Sequence, residues 1–247
     1  MISFRHVKKS FGTKHVLRDV SFDVNPGEVF FIIGASGVGK SVLIKHLIGL
    51  LYPDDGEIWL DGEEVSRFDE KQMYKVRKKC AMVFQHSTLF DSMSCAENVA
   101  LPLRKHRGMK PPEALSEAHR LLETVRMREF ADRYPAALGD GMRKRVAIAR
   151  ALTLEPQYVL FDEPTTSLDP VSARRVDTLI RQLSDEIGVT SIVVSHDLVS
   201  IFTIADRIVM LYGGHVKLLG TPDDFRGSPD EIIQQFINGR AEGPMDA

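Results

Sequence analysis

The sequence is poor in cysteine, and no stretch of it stays apolar for long. Only two cysteines occur among 247 residues. Cys80 and Cys95 lie in different segments without metal-ligand spacing, so we expect two buried or half-buried thiols in a reducing cytoplasm, not a disulfide framework. No run reaches the ~18 apolar residues of a spanning helix, and residues 1–9 lack the apolar core of a signal peptide. If this protein serves a membrane, we expect it to do so from outside the bilayer.

The chain also lacks an excess of charge of either sign. Its 32 Lys and Arg and 34 Asp and Glu give a net charge of −2, so we expect no nucleic-acid partner. Apolar residues make up 43% and charged residues 27%, the balance of an ordinary globular protein. This length fits one large α/β domain with an inserted subdomain.

Strand and helix patterns alternate along most of the chain. Residues 20–24 alternate apolar and polar side chains, and residues 29–33 are apolar throughout, as in a strand buried on both faces. Apolar strands return near 80–84, 158–161, 191–194 and 208–211, while residues from about 87 to 138 have a helical pattern. This order predicts a mostly parallel sheet with a helical insertion.

The C-terminal residues predict one more helix. Ser228 can cap it, with Pro229 at its first position and Glu231 completing a capping box. Its apolar face is formed by Ile232, Ile233, Phe236 and Ile237. We expect this helix to dock on its own domain, and a clasp around a second copy is the alternative.

A glycine-rich segment follows the buried strand at 29–33. It reads Gly34, Ala35, Ser36, Gly37, Val38, Gly39, Lys40 and Ser41, and it matches the GxxxxGK[ST] pattern. Glycines let backbone N–H groups turn inward around phosphate oxygens, and the following helix adds positive partial charge. We expect Lys40 to reach the β- and γ-phosphates of ATP and the Ser41 hydroxyl to hold Mg²⁺. A chance Lys-Ser in a glycine-rich turn is the alternative.

A pair of acids follows the apolar strand at 158–161. The carboxyl ends of strands in open parallel sheets face the ligand crevice. We expect Asp162 to hold Mg²⁺, directly or through water, and Glu163 to polarise the attacking water. The alternative is a strand that ends in a solvated turn.

These motifs in this order resemble the nucleotide-binding domain of ABC transporters over nearly the whole chain. The resemblance implies a P-loop NTPase of the α/β class with a RecA-like core, an N-terminal antiparallel β subdomain and an inserted α-helical subdomain. It implies a single domain over 1–247. Within it, 1–85 and 139–227 form the ATP-binding core, 86–138 the helical subdomain, and 228–247 a C-terminal helix and tail.

The resemblance also implies roles for residues that would mean little alone. Phe11 stands where the family stacks an aromatic ring on adenine. Gln85 is similar to the glutamine-loop residue, with a part in catalysis and in Mg²⁺ binding, and His196 to the switch histidine. Residues 166–169 resemble the D-loop. Gly139, Asp140 and Gly141 stand in the signature, which binds the ATP held by a second copy.

Family membership implies partners as well. Two such domains meet head to tail around two ATP and drive integral-membrane permease subunits from the cytoplasmic face of the inner membrane. Residues 89–93 are an expected contact surface for the permease. Met142 and residues 235–244 further resemble the ATPases of Mce/Mla-type systems, which implies phospholipid as cargo and an Mce-domain lipid-binding protein as partner.

The signature departs from the family pattern. Gly139 replaces a serine and Asp140 replaces a glycine. The first change removes a hydrogen bond to a charged group, typically worth ~1.5–3 kcal/mol, and the second adds a carboxylate near phosphate. We therefore predict that the chain binds ATP but closes poorly around it. Alternatively, Asp140 caps the helix that begins near Met142 and turns away, or the sequence is an engineered or sequencing variant.

Other functions remain open beside phospholipid transport. The chain could energise an importer of a small polar solute such as an amino acid, or act as a regulatory nucleotide-binding module of low turnover. A stand-alone ABC ATPase of translation or DNA repair is disfavoured, because those usually carry two cassettes or long coiled-coil insertions. The identity of the cargo and the direction of transport do not follow from the sequence.

Overall fold

The computed structural model describes residues 1–246. Over this range the strands have the bounds β1 Ile2–Phe11, β2 Lys14–Val24, β3 Val29–Ile33, β4 Asp55–Leu60, β5 Glu63–Glu64, β6 Cys80–Val83, β7 Tyr158–Asp162, β8 Thr190–Val194, β9 Arg207–Tyr212 and β10 His215–Gly220. The α-helices have the bounds α1 Lys40–Leu47, α2 Glu70–Lys79, α3 Cys95–His106, α4 Pro111–Thr124, α5 Asp140–Ala151, α6 Pro170–Ile187, α7 Leu198–Ile204, α8 Pro222–Arg226 and α9 Glu231–Asn238.

All of these strands join one sheet in the order β5-β4-β1-β2-β10-β9-β3-β8-β7-β6. The strands from β9 to β6 are parallel, whereas β1 pairs antiparallel with both β2 and β4. The predicted α/β fold with an N-terminal antiparallel β subdomain is thus confirmed. Because β3, β6, β7 and β8 run in one direction, the loops that follow them lie along the same edge of the sheet.

Alternate residues of the central strands pack into two apolar cores on opposite faces of the sheet. Phe31 and Phe161 belong to the core that contains the apolar faces of α3 to α6. Phe30 and Leu160 belong to the other core, with α1, α2 and the antiparallel strands. All four side chains are fully buried, and burial of such a side chain stabilises the fold by about 1.5–3 kcal/mol. This continuous burial explains why the central strands are apolar on both faces.

Between β6 and β7 the regular structure is helical. Ser94 caps α3, and Glu97 completes the capping box, while Pro111 begins α4, where proline is well tolerated. The two helices pack against α5, and their facing side chains are buried in the same core.

The C-terminal helix exists, but its predicted cap is wrong. Helix α9 begins at Glu231, and the carboxylate of Asp230 accepts hydrogen bonds from the backbone N–H groups of Ile232 and Ile233. Lys217 of β10 contacts the same carboxylate at 2.6 Å, which fixes the cap at residue 230 instead of Ser228. The expected docking on its own domain is confirmed within this chain, since Ile233 is buried in the core beside α8.

Two expectations from composition concern the chain as a whole. Both cysteines are buried and form no disulfide, which confirms a pair of buried thiols. No helix within residues 1–246 is long and apolar enough to cross a membrane.

Candidate functional site

The glycine-rich segment connects the buried strand β3 to α1 at the edge of the sheet. Residues 34–39 form the connection, and α1 begins at Lys40 with Gly39 at its N-cap. The N-cap residue Gly39 supplies no side-chain hydrogen bond to the N–H groups of this helix start. A helix N-terminus with free donors is the arrangement that binds phosphate.

Two glycines of this segment cannot be replaced without displacing their neighbours. Gly34 has φ +138°, and a Cβ built on it would lie 2.4 Å from the carbonyl oxygen of Leu211. Gly39 has φ +103°, and its Cβ would lie 2.6 Å from the Leu17 side chain. The backbone therefore packs more closely than any other residue type allows, as a phosphate cradle requires.

Lys40 extends across the mouth of this cradle. Its side chain is buried, and its Nζ donates hydrogen bonds to the carbonyl oxygens of Gly34 at 2.8 Å and Ala35 at 3.0 Å. Burial lowers the pKa of Lys40, and the carboxylates of Glu163 and Asp162 oppose that shift. The ammonium group thus lies between the glycine loop and the two acids, where it can bind phosphate oxygens.

Ser41 and Asp162 meet at the position where a metal ion is expected. The Ser41 hydroxyl donates a hydrogen bond to Asp162 Oδ1 at 2.5 Å, and Asp162 is buried at the end of β7. No cluster of three or more His, Cys, Asp or Glu residues that could hold a metal occurs among the described residues. Two oxygen ligands beside a phosphate cradle fit Mg²⁺, which commonly takes one or two protein ligands together with substrate phosphates.

Glu163 occupies a strained position directly after the strand. Its φ of 51° lies in the left-handed region that non-glycine residues rarely adopt, and its N–H donates to the carbonyl oxygen of Val194 at 2.9 Å. Its Oε2 lies 2.8 Å from Nδ1 of His196 and accepts a hydrogen bond from the Thr166 hydroxyl at 3.1 Å. Such strain clusters at functional sites. Here it accompanies contacts from Thr166 of the D-loop and from the switch residue His196.

A second layer of charged residues supports the loop of His196. Asp197 caps α7, and Arg174 of α6 contacts its carboxylate at 2.5 Å. Arg174 also lies 2.8 Å from Asp177, whose pKa is raised by burial to about 6. These residues were not identified from the sequence, because surface-type charges on a helix give no sign of their partners.

Phe11 lies at the end of β1, next to the glycine loop. Its ring is 47% exposed, which leaves a face for stacking, and Lys9 Nζ lies 5.6 Å from the ring centroid. Lys14, its partner across the hairpin, points towards the cradle, since a Cβ on Gly37 would lie 3.8 Å from Lys14 Nζ. The hairpin therefore brings Phe11 to the side of the phosphate cradle.

Gln85 is exposed in the loop that follows β6. Two residues of α5 hold this loop. Buried Lys144 donates from Nζ to the carbonyl oxygens of Phe84 at 2.9 Å and Gln85 at 2.6 Å. Arg150 donates from Nη1 to the carbonyl oxygen of Thr88 at 2.9 Å. Burial lowers the pKa of Lys144 to about 8.

The contact of Lys144 was missed in the sequence, although a signal for it exists. Lys144, Ala147, Ile148 and Ala151 follow the i, i+3, i+4, i+7 spacing of a buried helix face. A lysine on such a face needs hydrogen-bond acceptors in the interior, and the loop carbonyls supply them.

The signature residues form the start of α5. Gly139 is the N-cap and has no side chain that could accept a hydrogen bond from the helix N–H groups. A Cβ built on it would meet nothing within 4 Å. Asp140 is the first helical residue, so the interpretation in which it caps a helix beginning near Met142 is wrong. Its carboxylate pairs with Arg143, which also donates to the carbonyl oxygen of Leu138 at 2.7 Å. This pairing compensates the negative charge of Asp140 within the loop.

The structure brings most of the predicted site together on one edge of the sheet. The cradle lies beside Asp162, Glu163 and His196. The signature residue Asp140 instead lines a cavity of about 260 Å³ with Gln85 and the D-loop residue Ser167. Within the described chain, none of residues 34–41 lines this cavity.

Comparison with known proteins gives one family. The ABC transporter family model matches residues 17–166. The chain is 36% identical over 245 residues to the "Intermembrane phospholipid transport system ATP-binding protein MlaF" of Escherichia coli K12, which covers 99% of this chain and 91% of that protein. It is also 36% identical to the "Probable ribonucleotide transport ATP-binding protein mkl" of Mycobacterium leprae, over 99% of this chain and 70% of that one.

Solved structures agree with this result. The dimeric ATP-binding cassette MJ0796 in a post-hydrolysis state with ADP and Pi is 33% identical, with a TM-score of 0.81 over 90% of this chain and 99% of that chain. The cbiO1 protein of Clostridium perfringens is 27% identical, with a TM-score of 0.85 over 97% of this chain and 95% of that chain. The sequence motifs, the fold and these similarities together show that the chain belongs to the ABC transporter family and is an ATP-binding ATPase that resembles MlaF.

Proposed function

We propose that this chain hydrolyses ATP, between two copies of itself, to drive the transport of phospholipid through a membrane permease. The observation that carries the cargo is the 36% identity to MlaF over 99% of this chain. We place the protein on the cytoplasmic face of the inner membrane, bound to permease subunits and through them to an Mce-domain lipid-binding protein. The resemblance of Met142 and residues 235–244 to ATPases of Mce/Mla-type systems supports the same cargo.

The site geometry supports a division of work among the residues of the chain. Lys40 and the N–H groups of the cradle bind the phosphates, and Phe11 stacks on the adenine. Ser41 and Asp162 would hold Mg²⁺, with Gln85 as the further ligand, and the bound ion would supply positive charge to the phosphates. Glu163 accepts a proton from the attacking water, and His196 holds the Glu163 carboxylate in place.

The same division extends to segments of the chain. We assign the ATP-binding core to residues 1–85 and 139–227, the helical subdomain to 86–138, and the C-terminal helix and tail to 228–247. The regular elements within 86–138 are helices, which supports these boundaries.

A rigid surface loop supports a permease contact at residues 89–93. Fully buried Asn98 accepts a hydrogen bond from the N–H of Phe90 at 2.8 Å and donates to the carbonyl oxygens of Phe90 and Met93 at 3.0 and 3.1 Å. The Phe90 side chain is nevertheless 50% exposed. An exposed aromatic ring on a loop whose backbone is held by a buried side chain, here Asn98, is typical of a docking site.

A second candidate is transport of a small polar solute. The name of the mycobacterial relative mkl refers to ribonucleotide transport, at the same identity as MlaF. The nucleotide site would work identically in both cases, so only the partner proteins separate the two.

The test is purification of the full chain from its native membranes in mild detergent, followed by mass spectrometry of proteins and lipids. We expect a multi-spanning permease, an Mce-domain protein and bound phospholipid. In Phe90→Ala the permease should be lost, because the exposed ring that contacts it is removed. The loop itself should stay folded, since Asn98 bonds its backbone and not the ring. Tyr52→Ala, which removes another exposed aromatic ring (44% exposed), should retain it.

Other outcomes would change the conclusion. A solute permease with a soluble binding protein would favour the small polar solute. If no membrane protein co-purifies, the transport assignment itself is wrong and only the nucleotide chemistry remains.

The altered signature leads to a prediction about activity. We expect the double variant Gly139→Ser with Asp140→Gly to raise ATP-dependent dimerisation and ATPase activity about tenfold or more, since a hydrogen bond to a charged group is worth about 1.5–3 kcal/mol. The new side chain fits, because a Cβ at residue 139 meets no atom within 4 Å. Phosphate release by the assembled transporter measures the effect.

The matched control is Gly139→Ala with Asp140→Gly. It adds the same Cβ without the hydroxyl, so we expect it to recover only the part due to the removed carboxylate. Equal activity in the control and the serine variant would contradict the hydrogen-bond argument. Unchanged or lower activity in both would show that the natural signature closes well, with Arg143 compensating Asp140.

A further inference from the structure

Three arginines line a groove away from the nucleotide site. Arg126 follows the end of α4, Arg145 projects from α5, and Arg175 projects from α6. The groove has a volume of about 320 Å³ and is also lined by Thr178 and Gln182. We call it the arginine groove. It joins the helical region of residues 86–138 to a helix of the core.

The three guanidinium groups lack acidic partners. Within residues 1–246 none of the three forms an ion pair, and Arg145 donates only to the carbonyl oxygens of Val125 and Arg126, at 3.4 and 3.1 Å. Three acids on the same elements are already paired, Glu123 with Arg128, Asp177 with Arg174, and Asp185 with Arg181, and Glu186 is exposed near the end of α6. No ion pair in the described part of the chain therefore compensates the positive charge in the groove.

The arginines are close enough to affect one another. Burial lowers the pKa of Arg145, and the positive charges of Arg175 and Arg126 lower it further. Like charges held together without a counterion destabilise a fold. An anion bound between them would remove this cost.

The backbone at Arg126 adds an independent observation. Arg126 has φ 55°, and it stands just past the end of α4, where Met127 N–H donates to the carbonyl oxygen of Leu122 at 2.7 Å. Glycine is the usual residue at such a left-handed helix end. The chain has a strained arginine there instead, and its side chain lines the groove.

We propose that the arginine groove binds a phosphate group that carries two or more negative charges. The planar guanidinium fork matches phosphate oxygens with paired hydrogen bonds, and the Gln182 amide can donate a further one. The groove has room for a small phosphate compound or for the headgroup of an anionic phospholipid. Because its walls come from α4, α5 and α6, a bound phosphate braces the helical region against the core.

The test uses the full chain saturated with ADP without divalent ions, so that the nucleotide site is filled. Isothermal titration calorimetry with inorganic pyrophosphate is expected to give one site per chain, with an affinity that falls as salt is added. The double variant Arg126→Gly with Arg175→Gln should weaken binding tenfold or more. Arg104→Gln, which removes an exposed arginine that forms no ion pair in the described part of α3, should leave it unchanged.

The choice of glycine at residue 126 separates binding from folding. Glycine relieves the left-handed strain, so the melting temperature of Arg126→Gly should stay the same or rise while binding falls. A structural role for Arg126 would lower both.

A second arm identifies the source of the phosphate. Co-sedimentation is measured with phosphatidylcholine vesicles, with and without phosphatidic acid. Arginine-dependent binding to the acidic vesicles indicates a lipid headgroup, whereas binding of pyrophosphate alone indicates a soluble phosphate compound. The proposal is overturned if neither probe binds, or if the double variant binds both probes as tightly as the natural chain.

Discussion

Glu163→Gln is expected to lower the kcat of ATP hydrolysis by about 10²–10⁴-fold, the usual contribution of a general base. Glutamine keeps the length of the side chain and can still accept the hydrogen bond from Thr166. It cannot take a proton from water. Because binding is spared while turnover stops, ATP should accumulate in a closed dimer, and size-exclusion chromatography with ATP together with phosphate release measures both effects.

The control for this variant is Glu186→Gln. Glu186 is exposed near the end of α6. The substitution therefore removes the same charge at a position outside the loop of His196. We expect its turnover to match the natural chain. Rapid hydrolysis by Glu163→Gln would refute the assignment of Glu163 as the base.

Lys40→Ala is expected to raise the Kd for ATP by about 10- to 150-fold, because charged hydrogen bonds to phosphate of about 1.5–3 kcal/mol are lost. The variant also loses the bonds from Nζ to the carbonyl oxygens of Gly34 and Ala35, so the empty cradle should be looser. Titration calorimetry with ATP measures the affinity.

Lys45→Ala provides the comparison within the same helix. Lys45 is half-buried and lies in the last turn of α1, so its loss leaves the cradle intact. Its Kd for ATP should be unchanged. If Lys40→Ala bound ATP as tightly as Lys45→Ala does, residues 34–41 would not be the phosphate cradle.

The sequence predicts the site well where chemistry and chain order constrain it together. A GxxxxGK[ST] segment between a buried strand and a helix leaves few conformations, and the acids after β7 reach the same edge because parallel strands align their ends. The order of the sheet could not be derived in this way, since β3 lies between β8 and β9, far from it in the sequence. The apolar pattern of a strand shows that the strand is buried, but it does not show which strands lie beside it in the sheet.

The sequence-based predictions that the structure overturns concern helix ends and charged contacts. Ser228 and Asp230 are both good caps, and the contact of Asp230 with Lys217 decides between them. For Asp140, the alternative in which it caps a helix beginning near Met142 is wrong, because it is the first residue of α5 and pairs with Arg143. At residues 228–230 two polar side chains can bond the same N–H groups for nearly equal free energy, so a partner distant in the sequence, Lys217, determines the choice.

The hold of α5 on the loop after β6 makes this helix a lever. Lys144 and Arg150 bond the loop to α5 from positions six residues apart, so we expect a shift of the loop to tilt the helix. Asp140 lies ten residues from Arg150, or about 15 Å along the axis at about 1.5 Å per residue, so a tilt of about 5° would move the signature by about 1 Å. Residues 89–93 directly follow this loop. A displacement of them would thereby cause a larger displacement at Asp140, the first residue of α5.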